Sequence, residues 1–240
     1  MFKLALGAGH GINTAGKRCL KSIDPNETHE WVLNDRICDK VERLLSGYKG
    51  VEVLRLDDSD DGAEDVALAE RVSEANAWGA DLYLSVHHNA GINGGNGGGI
   101  VAYCHTNAGA ESKTWRDELY EALIEHTGLR GNRANPKTTA NHYVTRNSKA
   151  PASVLLELGF MDSRTDVPII LTEKYAQECA EAIVEVVVRK AGLSRKDEPD
   201  SWAKDAWERA KKAGVMDGTR PKDTLTRQEL AQVLANLGLI

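Results

Sequence analysis

The stretch Ala152-Ser153-Val154-Leu155-Leu156-Glu157-Leu158-Gly159-Phe160 is an apolar run interrupted by a single acid. A short continuous apolar run is typical of a strand that is covered on both faces, as in a parallel sheet. An ionised, unpaired carboxylate buried in such a strand would cost several kcal/mol. Because clefts in open α/β sheets form at the carboxyl ends of strands, we expect Glu157 to face a polar cleft there. Partial burial would raise its pKa toward neutrality, which suits a general base.

Strand and helix patterns alternate on both sides of this stretch. The other strand patterns are Lys3–Leu6, Val51–Leu56, Asp81–His87, Gly99–Cys104 and Tyr143–Thr145. Apolar residues recur at helical spacing in His29–Leu45, Ala67–Trp78, Glu111–His126 and Glu173–Arg189. Such alternation predicts an α/β fold, with a mostly parallel twisted sheet of about six strands covered by helices. We expect residues 1–192 to form this domain.

A small helical module is predicted after the large domain. Residues 193–199 are polar, end in proline and read as a linker. In 200–240, Gly214 stops a first helix, Ser201–Ala213. Thr226 and Glu229 form a capping box at the start of a second. We expect that second helix to bury four apolar residues, namely Leu230, Val233, Leu234 and Leu237. About forty residues make a small core, so the module is expected to pack on the first domain, on a copy of itself or on a partner.

Composition and charge exclude several classes of protein. The chain has 240 residues and a net charge of −6, which argues against a nucleic-acid binder because phosphate contacts need clustered Lys and Arg. No long uncharged apolar run predicts a membrane span. Residues 1–7 read as a strand and not as a signal peptide, so synthesis in the cytoplasm is expected. Four scattered cysteines form no CxxC pair, and we expect reduced, mostly buried thiols.

Three further polar side chains are predicted near the same sheet edge as Glu157. His10 follows the first strand between glycines, and His87 ends another apolar strand. Glu30 lies on the inward face of the first helix, four residues before Asn34. Taken singly, a strand-end histidine is usually structural, and an acid at a helix start favours the helix dipole. Together, two imidazoles and a carboxylate with a position left for water form the ligand set of a hydrolytic zinc site. Since the residues come from distant segments, no spacing rule singles out this grouping.

Several motifs resemble one known family. They are Gly9-His10-Gly11, Glu30 four before Asn34, Leu54–Asp58, Ala69–Asn76, Ser85-Val86-His87-His88-Asn89-Ala90 and Val154–Phe160. In this order, and over about residues 1–191, they are similar to the zinc-dependent N-acetylmuramoyl-L-alanine amidases of the type 3 catalytic family. The resemblance implies Zn²⁺ ligands at His10, Glu30 and His87 and a catalytic glutamate at Glu157. It also implies hydrolysis of the amide between the lactyl group of N-acetylmuramic acid and L-alanine in peptidoglycan.

Three neighbouring features offer alternatives to this assignment. His88 directly follows His87, but strand alternation points the two to opposite faces, and the motif register selects His87 as the ligand. The glycine-rich stretch 91–99 lacks the Lys-Ser/Thr ending of a phosphate loop and does not open a helix, so we expect a flexible connection at the cleft rim. Gly7-x-Gly9-x-Gly11 after a strand is not the G-x-G-x-x-G motif, but it leaves a nucleotide-dependent oxidoreductase as an alternative.

The C-terminal segment resembles one S-layer-homology repeat. The resemblance rests on Asp200–Trp207, Ala213–Gly218 and Leu225–Ala231, although Thr219 stands where an aromatic residue often precedes Arg-Pro. It implies attachment to a secondary cell-wall polymer, with self-association of several chains as a further use of the module. The alternative is a structural role, in which Trp202 and Trp207 pack between the two helices.

The sequence therefore predicts a peptidoglycan hydrolase that acts on the wall after release from the cytoplasm, as a phage endolysin does. A bacterial sporulation or autolytic amidase would share the chemistry. A protein that only binds the wall is the alternative from another class. No nucleic acid or membrane partner is expected.

Overall fold

A computed structural model describes residues 1–216 and 225–239 of the chain. The chain forms two compact units. The first contains residues 1–46 and 50–193, and the second contains residues 47–49 and the chain from 194 onward. The predicted division into a catalytic domain (1–192), a linker (193–199) and a helical module (200–240) stays a prediction.

Strands and helices of the first unit alternate along the chain. Its strands are β1 (Phe2–Ala8), β3 (Val51–Arg55), β4 (Leu82–Asn89), β5 (Ile100–His105), β6 (Lys137–Ala140) and β7 (Ala152–Phe160). Its helices are α1 (Glu30–Leu45), α2 (Leu68–Trp78), α3 (Ala110–Thr127), α4 (Tyr143–Asn147), α5 (Val167–Ile170) and α6 (Glu173–Ala191). The second unit contains β2 (Tyr48–Lys49), β8 (Ser194–Arg195), α7 (Lys204–Lys212) and α8 (Arg227–Asn236).

The six strands of the first unit form one sheet in the order β3-β1-β4-β7-β5-β6. All neighbouring pairs are parallel except β5 and β7, which are antiparallel. The predicted α/β architecture with a mostly parallel sheet is therefore confirmed. The carboxyl ends of β1, β4 and β7 lie at one edge of the sheet, which is where the sequence placed the polar residues.

Helices cover both faces of this sheet. Helices α1, α3 and α6 pack against one another and against the strands on one face. On the other face, Val72 of α2 and Val144 of α4 pack on Ala5, Tyr83 and Leu155 of the strands. The apolar runs of β4 and β7 are buried because neither face of these central strands is open to solvent. The four cysteines are free and buried, as predicted.

The predicted strand at Tyr143–Thr145 is wrong. These residues form the short helix α4, and the strand at this edge of the sheet is β6, Lys137–Ala140. The β-branched Val144 and Thr145 favour a strand locally, but Val144 is buried in the core through a helical turn. The true strand β6 pairs only with β5, so this edge strand is polar and half exposed and carries a weak signal.

The second unit has helices without buried residues among those described. The capping box of Thr226 and Glu229 is present, as predicted. The predicted burial of α8 is wrong, since Leu230 and Leu237 are 45% and 50% exposed and Val233 and Leu234 are only half-buried. Two helices of about ten residues enclose too little volume to cover their apolar side chains.

The predicted linker includes strand β8, which pairs with β2. Trp202 is 87% exposed and Trp207 is half-buried. Residues 217–219 of the predicted repeat lie outside the described residues. None of the helices in the described part of the chain has the length and apolar character needed to cross a membrane.

Candidate metal centre and active site

His10, Glu30 and His87 come together at the carboxyl edge of the sheet, with one nitrogen or oxygen atom of each lying within 4.8 Å of the others. His10 follows β1, Glu30 is the first residue of α1, and His87 lies near the end of β4. The Glu30 Oε1 atom is 3.1 Å from His87 Nδ1, and Glu30 Oε2 is 3.5 Å from His10 Nε2. The two imidazole rings meet edge to face, with centroids 5.1 Å apart. The grouping predicted from the sequence therefore exists as a spatial cluster.

The backbone at His10 has an unusual conformation that places the imidazole at the cluster. His10 has a φ of 66°, in the left-handed region that non-glycine residues rarely adopt. Gly9 is required beside it, because a Cβ there would fall inside the ring of His87. The close approach of the His87 ring therefore explains the glycine at position 9.

Arg71 stabilises the backbone conformation around His10. Its side chain is buried, with 3% exposed, and donates hydrogen bonds to the carbonyl oxygens of Ala8, His10 and Val66. The bond to the His10 oxygen is 3.0 Å long. A planar guanidinium with several donors can hold carbonyl groups in a fixed arrangement, whereas a single ammonium group cannot hold all three in the same way. The guanidinium therefore fixes the position of a candidate ligand.

Glu30 is only 1% exposed, yet its charge is stabilised. Burial alone would raise the pKa of Glu30, but the hydrogen bond and charge of His87, with the charges of His10 and Lys17, outweigh burial and hold the pKa at about 2. Oε1 is also 3.2 Å from the backbone nitrogen of His88. Oε2 is buried without a hydrogen-bond partner and lies 3.8 Å from Lys17 Nζ. An ionised buried oxygen that lacks a donor is suited to a cation.

The two histidines of the cluster differ in their electrostatics. Burial lowers the pKa of His10 to about 4, against the opposing charge of Glu30. Burial alone would also lower the pKa of His87, but the hydrogen bond and charge of Glu30 outweigh it and raise the pKa above its ordinary value. Ser85 Oγ lies 3.1 Å from His87 Nε2 and thus helps to orient the ring. A neutral imidazole, as favoured at His10, is the form that binds metal.

His88 lies outside the cluster and has a structural contact. Its Nδ1 atom is 2.8 Å from Asn34 Oδ1, and the Asn34 amide donates to the carbonyl oxygen of Gly9. Burial lowers the pKa of His88 to about 3, so the ring is neutral. The strand alternation used to separate the two neighbouring histidines therefore agrees with their positions, since His87 lines a cavity with Ser85 and His88 faces α1.

Glu157 lies directly opposite His87 on the neighbouring strand. Neighbouring strands are about 4.8 Å apart, which brings the carboxylate beside the cluster. Burial raises the pKa of Glu157 to about 7, against the opposite effect of His87. The Oε2 atom is buried without a hydrogen-bond partner. A carboxylate with a pKa near neutrality can accept a proton and release it again at physiological pH.

The glycine-rich stretch after β4 is fixed by a carboxylate. Oδ2 of Asp162 accepts backbone hydrogen bonds from Gly91, Ile92 and Asn93, at 2.8, 2.8 and 2.6 Å. The donors that could have cradled a phosphate group are therefore already in use. The predicted flexible connection is instead a segment tied to the residues that follow β7.

Sequence reasoning gave no role to Arg71, although a signal was present. Leu68, Val72 and Ala75 form the apolar stripe of α2, and position 71 lies on the same stripe because residues three and four apart share a helix face. A cation on an inward stripe needs buried acceptors, and here they are the carbonyl oxygens beside His10.

Comparison with known proteins gives the family of the chain. Residues 4–189 match the family described as N-acetylmuramoyl-L-alanine amidase. The chain is 31% identical over 195 residues to the N-acetylmuramoyl-L-alanine amidase CwlM of Bacillus licheniformis, covering 81% of this chain and 71% of the relative. It is 30% identical over 197 residues to the endolysin of Bacillus phage SPP1, covering 82% of this chain and 69% of the phage protein.

A solved structure shows the same fold. The N-acetylmuramoyl-L-alanine amidase of Clostridium difficile 630 superposes with a TM-score of 0.69 and 27% sequence identity, covering 80% of this chain and 97% of the other. The family match begins within β1, covers the other five strands of the sheet and the candidate site, and ends within α6. The chain therefore belongs to the N-acetylmuramoyl-L-alanine amidase family.

Proposed function

We propose that this enzyme is a zinc-dependent peptidoglycan hydrolase that cleaves the amide between the lactyl group of N-acetylmuramic acid and L-alanine. The observation that carries the proposal is the cluster of His10, Glu30 and His87 directly beside Glu157, a half-buried residue whose Oε2 atom is buried. Family membership supports the substrate and the bond, and the cluster supports the chemistry.

The residues present fit a zinc ion. Two imidazoles and one carboxylate are a ligand set of catalytic zinc sites, which keep one further position open. The buried Oε2 atom of Glu30 lacks a hydrogen-bond donor, as expected of an atom that ligates a cation. When bound, zinc would supply a water of lowered pKa and polarise the amide carbonyl.

Glu157 is the proposed general base and acid. Its raised pKa, about 7, allows the carboxylate to take a proton from the attacking water. The same carboxyl can then give the proton to the leaving nitrogen of L-alanine, since an amine leaves far more readily than its anion. Arg71 holds the backbone carbonyl of His10, and Ser85 contacts the imidazole of His87, so the ligands need little rearrangement during the reaction.

The proposal is tested by digestion of purified cell walls, with the released fragments identified by mass spectrometry. We expect free amino termini on L-alanine and intact glycan strands. A chelator should stop the reaction and added zinc should restore it. New reducing sugar ends in place of alanine amino termini, or full activity in the chelator, would overturn the proposed reaction.

We propose that the second unit retains the enzyme on the wall by binding a secondary wall polymer. The exposed Trp202 and the similarity of the segment to an S-layer-homology repeat support this role. In the full chain, Trp202→Ala is expected to reduce co-sedimentation with purified walls. Unchanged sedimentation, together with a concentration-dependent increase in mass, would instead favour self-association through this unit.

We propose that the enzyme is made in the cytoplasm and reaches the wall only after the membrane is opened, as a phage endolysin does. The similarity to the endolysin of phage SPP1 supports this setting. Cells producing the enzyme should lyse when the membrane is permeabilised and not before. Lysis without permeabilisation would contradict it.

A further inference from the structure

A polar groove extends from the candidate active site toward the edge of the sheet. Its volume is about 490 Å³. The side chains that define it are Asn89, Val101, Tyr103, Arg133, Thr138 and Phe160. Neither the metal cluster nor Glu157 is among its lining residues, so the groove is a separate region beside the reacting groups.

Strand register makes this groove continuous with the site. His87 pairs with Glu157, and Glu157 pairs with Val101. Directly paired residues project from the same face of a sheet, as do residues two apart in one strand. His87, Glu157, Val101 and Tyr103 therefore share one face, and Thr138 joins them because it pairs with Tyr103. A chain that leaves the reacting bond on the side of Glu157 enters the groove.

Arg133 supplies a free positive charge in the groove. Its guanidinium lies 4.4 Å from the centroid of the Phe160 ring, which orients it by a cation–π contact. Among the described residues, the guanidinium has no hydrogen-bond or ion-pair partner, and no acidic side chain lines the groove. An arginine that is oriented but unpaired is suited to binding a carboxylate with two parallel hydrogen bonds.

The cavity on the other side of the cluster has a different charge. It has a volume of about 250 Å³ and is lined by His10 and His87 together with Asp65, Leu68 and Arg71. The guanidinium of Arg71 is already engaged by backbone carbonyls and lies 3.7 Å from Asp65. This cavity therefore offers no unpaired cation, and Asp65 disfavours an anion.

The two sides of the proposed scissile amide also differ in charge. On the glycan side, the carboxyl group of the lactyl ether is consumed in the amide itself. On the peptide side, the first free carboxylate belongs to the residue after L-alanine when that residue is glutamate. When this carboxylate is amidated, the residue carries no negative charge.

We propose that Arg133 binds a carboxylate of the stem peptide, the nearest being that of the second residue, and thereby directs the peptide into the groove and the glycan to the opposite side. This inference rests on the proposed function. It makes Arg133 a residue that determines specificity, and the amidation state of the stem becomes a determinant of the rate.

The test uses the zinc-loaded full chain and three synthetic muramoyl peptides. One has free carboxylates, a second is amidated only at the second residue, and a third only at a carboxylate of the third residue. We expect wild type to prefer the first over the second by about tenfold in kcat/KM, mainly through KM, because a hydrogen-bonded charge contributes about this much at an exposed site. Arg133→Gln should bring this ratio close to one. Arg133→Lys should keep part of it, and Arg130→Gln, an exposed arginine in the same loop outside the groove, should keep all of it.

The outcomes separate this inference from the proposed function. If wild type cleaves none of the peptides, the proposed function fails. If wild type cleaves all three equally, or Arg133→Gln keeps the full preference, the groove assignment fails while the amidase activity stands. If only amidation of the third residue matters, the assignment to the second residue is overturned.

Discussion

Glu30 and Asp166 are two buried carboxylates with opposite surroundings. Each residue is 1% exposed. Oδ2 of Asp166 accepts backbone hydrogen bonds from Gly99 and Phe160, at 2.7 and 3.0 Å, and Oδ1 lies 3.2 Å from the hydroxyl of Thr165. Glu30 has hydrogen-bond contacts at Oε1 only. Its Oε2 has no hydrogen-bond donor and lies 3.5 Å from His10 Nε2 and 3.8 Å from Lys17 Nζ.

The difference separates a structural acid from a ligand. A buried charge must be compensated, and the protein either provides enough donors or leaves room for a cation. Asp166 has its donors built into the backbone of a glycine-rich loop, so it fixes that loop. Glu30 lacks them at one oxygen, and the atoms that face that oxygen include an imidazole nitrogen. Glu157 differs from both acids, because its Oε2 is also buried without a partner but burial raises its pKa to about 7. Such a group exchanges a proton near neutral pH, which suits a general base.

The largest effect is expected from Glu157→Gln. Gln has nearly the same shape but cannot take up a proton, so we expect a loss of about 10²–10⁴ in kcat on purified walls. Zinc content and the unfolding transition should stay close to wild type, because Glu157 is not one of the proposed ligands. Wall digestion at the wild-type rate would remove Glu157 from the reaction.

The distinction between Glu30 as a metal ligand and Asp166 as a structural acid is tested by replacing each with alanine and unfolding both variants in urea. For Glu30→Ala we expect little of the stabilisation that zinc gives to wild type, which is about 4 kcal/mol when zinc is present at a thousand times its dissociation constant. For Asp166→Ala we expect a loss of about 1–3 kcal/mol with and without zinc, since buried backbone donors lose their acceptor. If both variants respond to zinc alike, the distinction between the two acids is wrong.

A smaller effect is expected at Arg71. Arg71→Lys keeps the charge but cannot hold the carbonyls of Ala8, His10 and Val66 in the same arrangement. Groups that orient metal ligands typically contribute 10–100-fold to affinity, so zinc should bind about tenfold more weakly. Lys3→Ala, which removes a cation from the opposite end of β1, serves as the control. Equal zinc affinity in Arg71→Lys and wild type would limit Arg71 to packing.

The smallest expected effect is the contribution of His88 to the loss of folding stability at acidic pH. Its pKa is about 3 in the folded protein against an ordinary value of 6.5, so below pH 6.5 the unfolded chain binds a proton that the folded chain does not. Stability due to this group is therefore complete above pH 6.5 and falls as the pH drops. Between pH 7.5 and 5.5, metal-free wild type should lose about 1.4 kcal/mol more than His88→Gln. Parallel curves for wild type and His88→Gln would contradict the neutral state of His88.

Five of the six strands of the sheet could be predicted from the sequence, as could the four candidate site residues taken one by one. Buried strands such as β4 and β7 are continuous apolar runs, and a charged or imidazole group within them stands out. That His10, Glu30 and His87 form one cluster depends on chain topology, which no local spacing records. The family resemblance supplied this link.

Other features were beyond local patterns. Strand β6 is a polar edge strand without an apolar run, so its pattern did not predict a strand. The β-branched residues of α4 favour a strand locally and led to the wrong prediction there. The exposure of Leu230 and Leu237 depends on what the short helix α8 has available to pack against, and the sequence of the helix does not contain that information. Arg133 lies in a polar loop, so only the folded groove reveals its unpaired charge.

The most direct test of the zinc centre is a titration of the metal-free protein with zinc in competition with a chromophoric chelator. We expect one zinc ion per chain in wild type and at least a hundredfold weaker binding when His10, Glu30 or His87 is replaced by alanine. Absence of zinc binding by wild type, or binding by the three variants as tight as that of wild type, would contradict the assignment of these residues as its ligands.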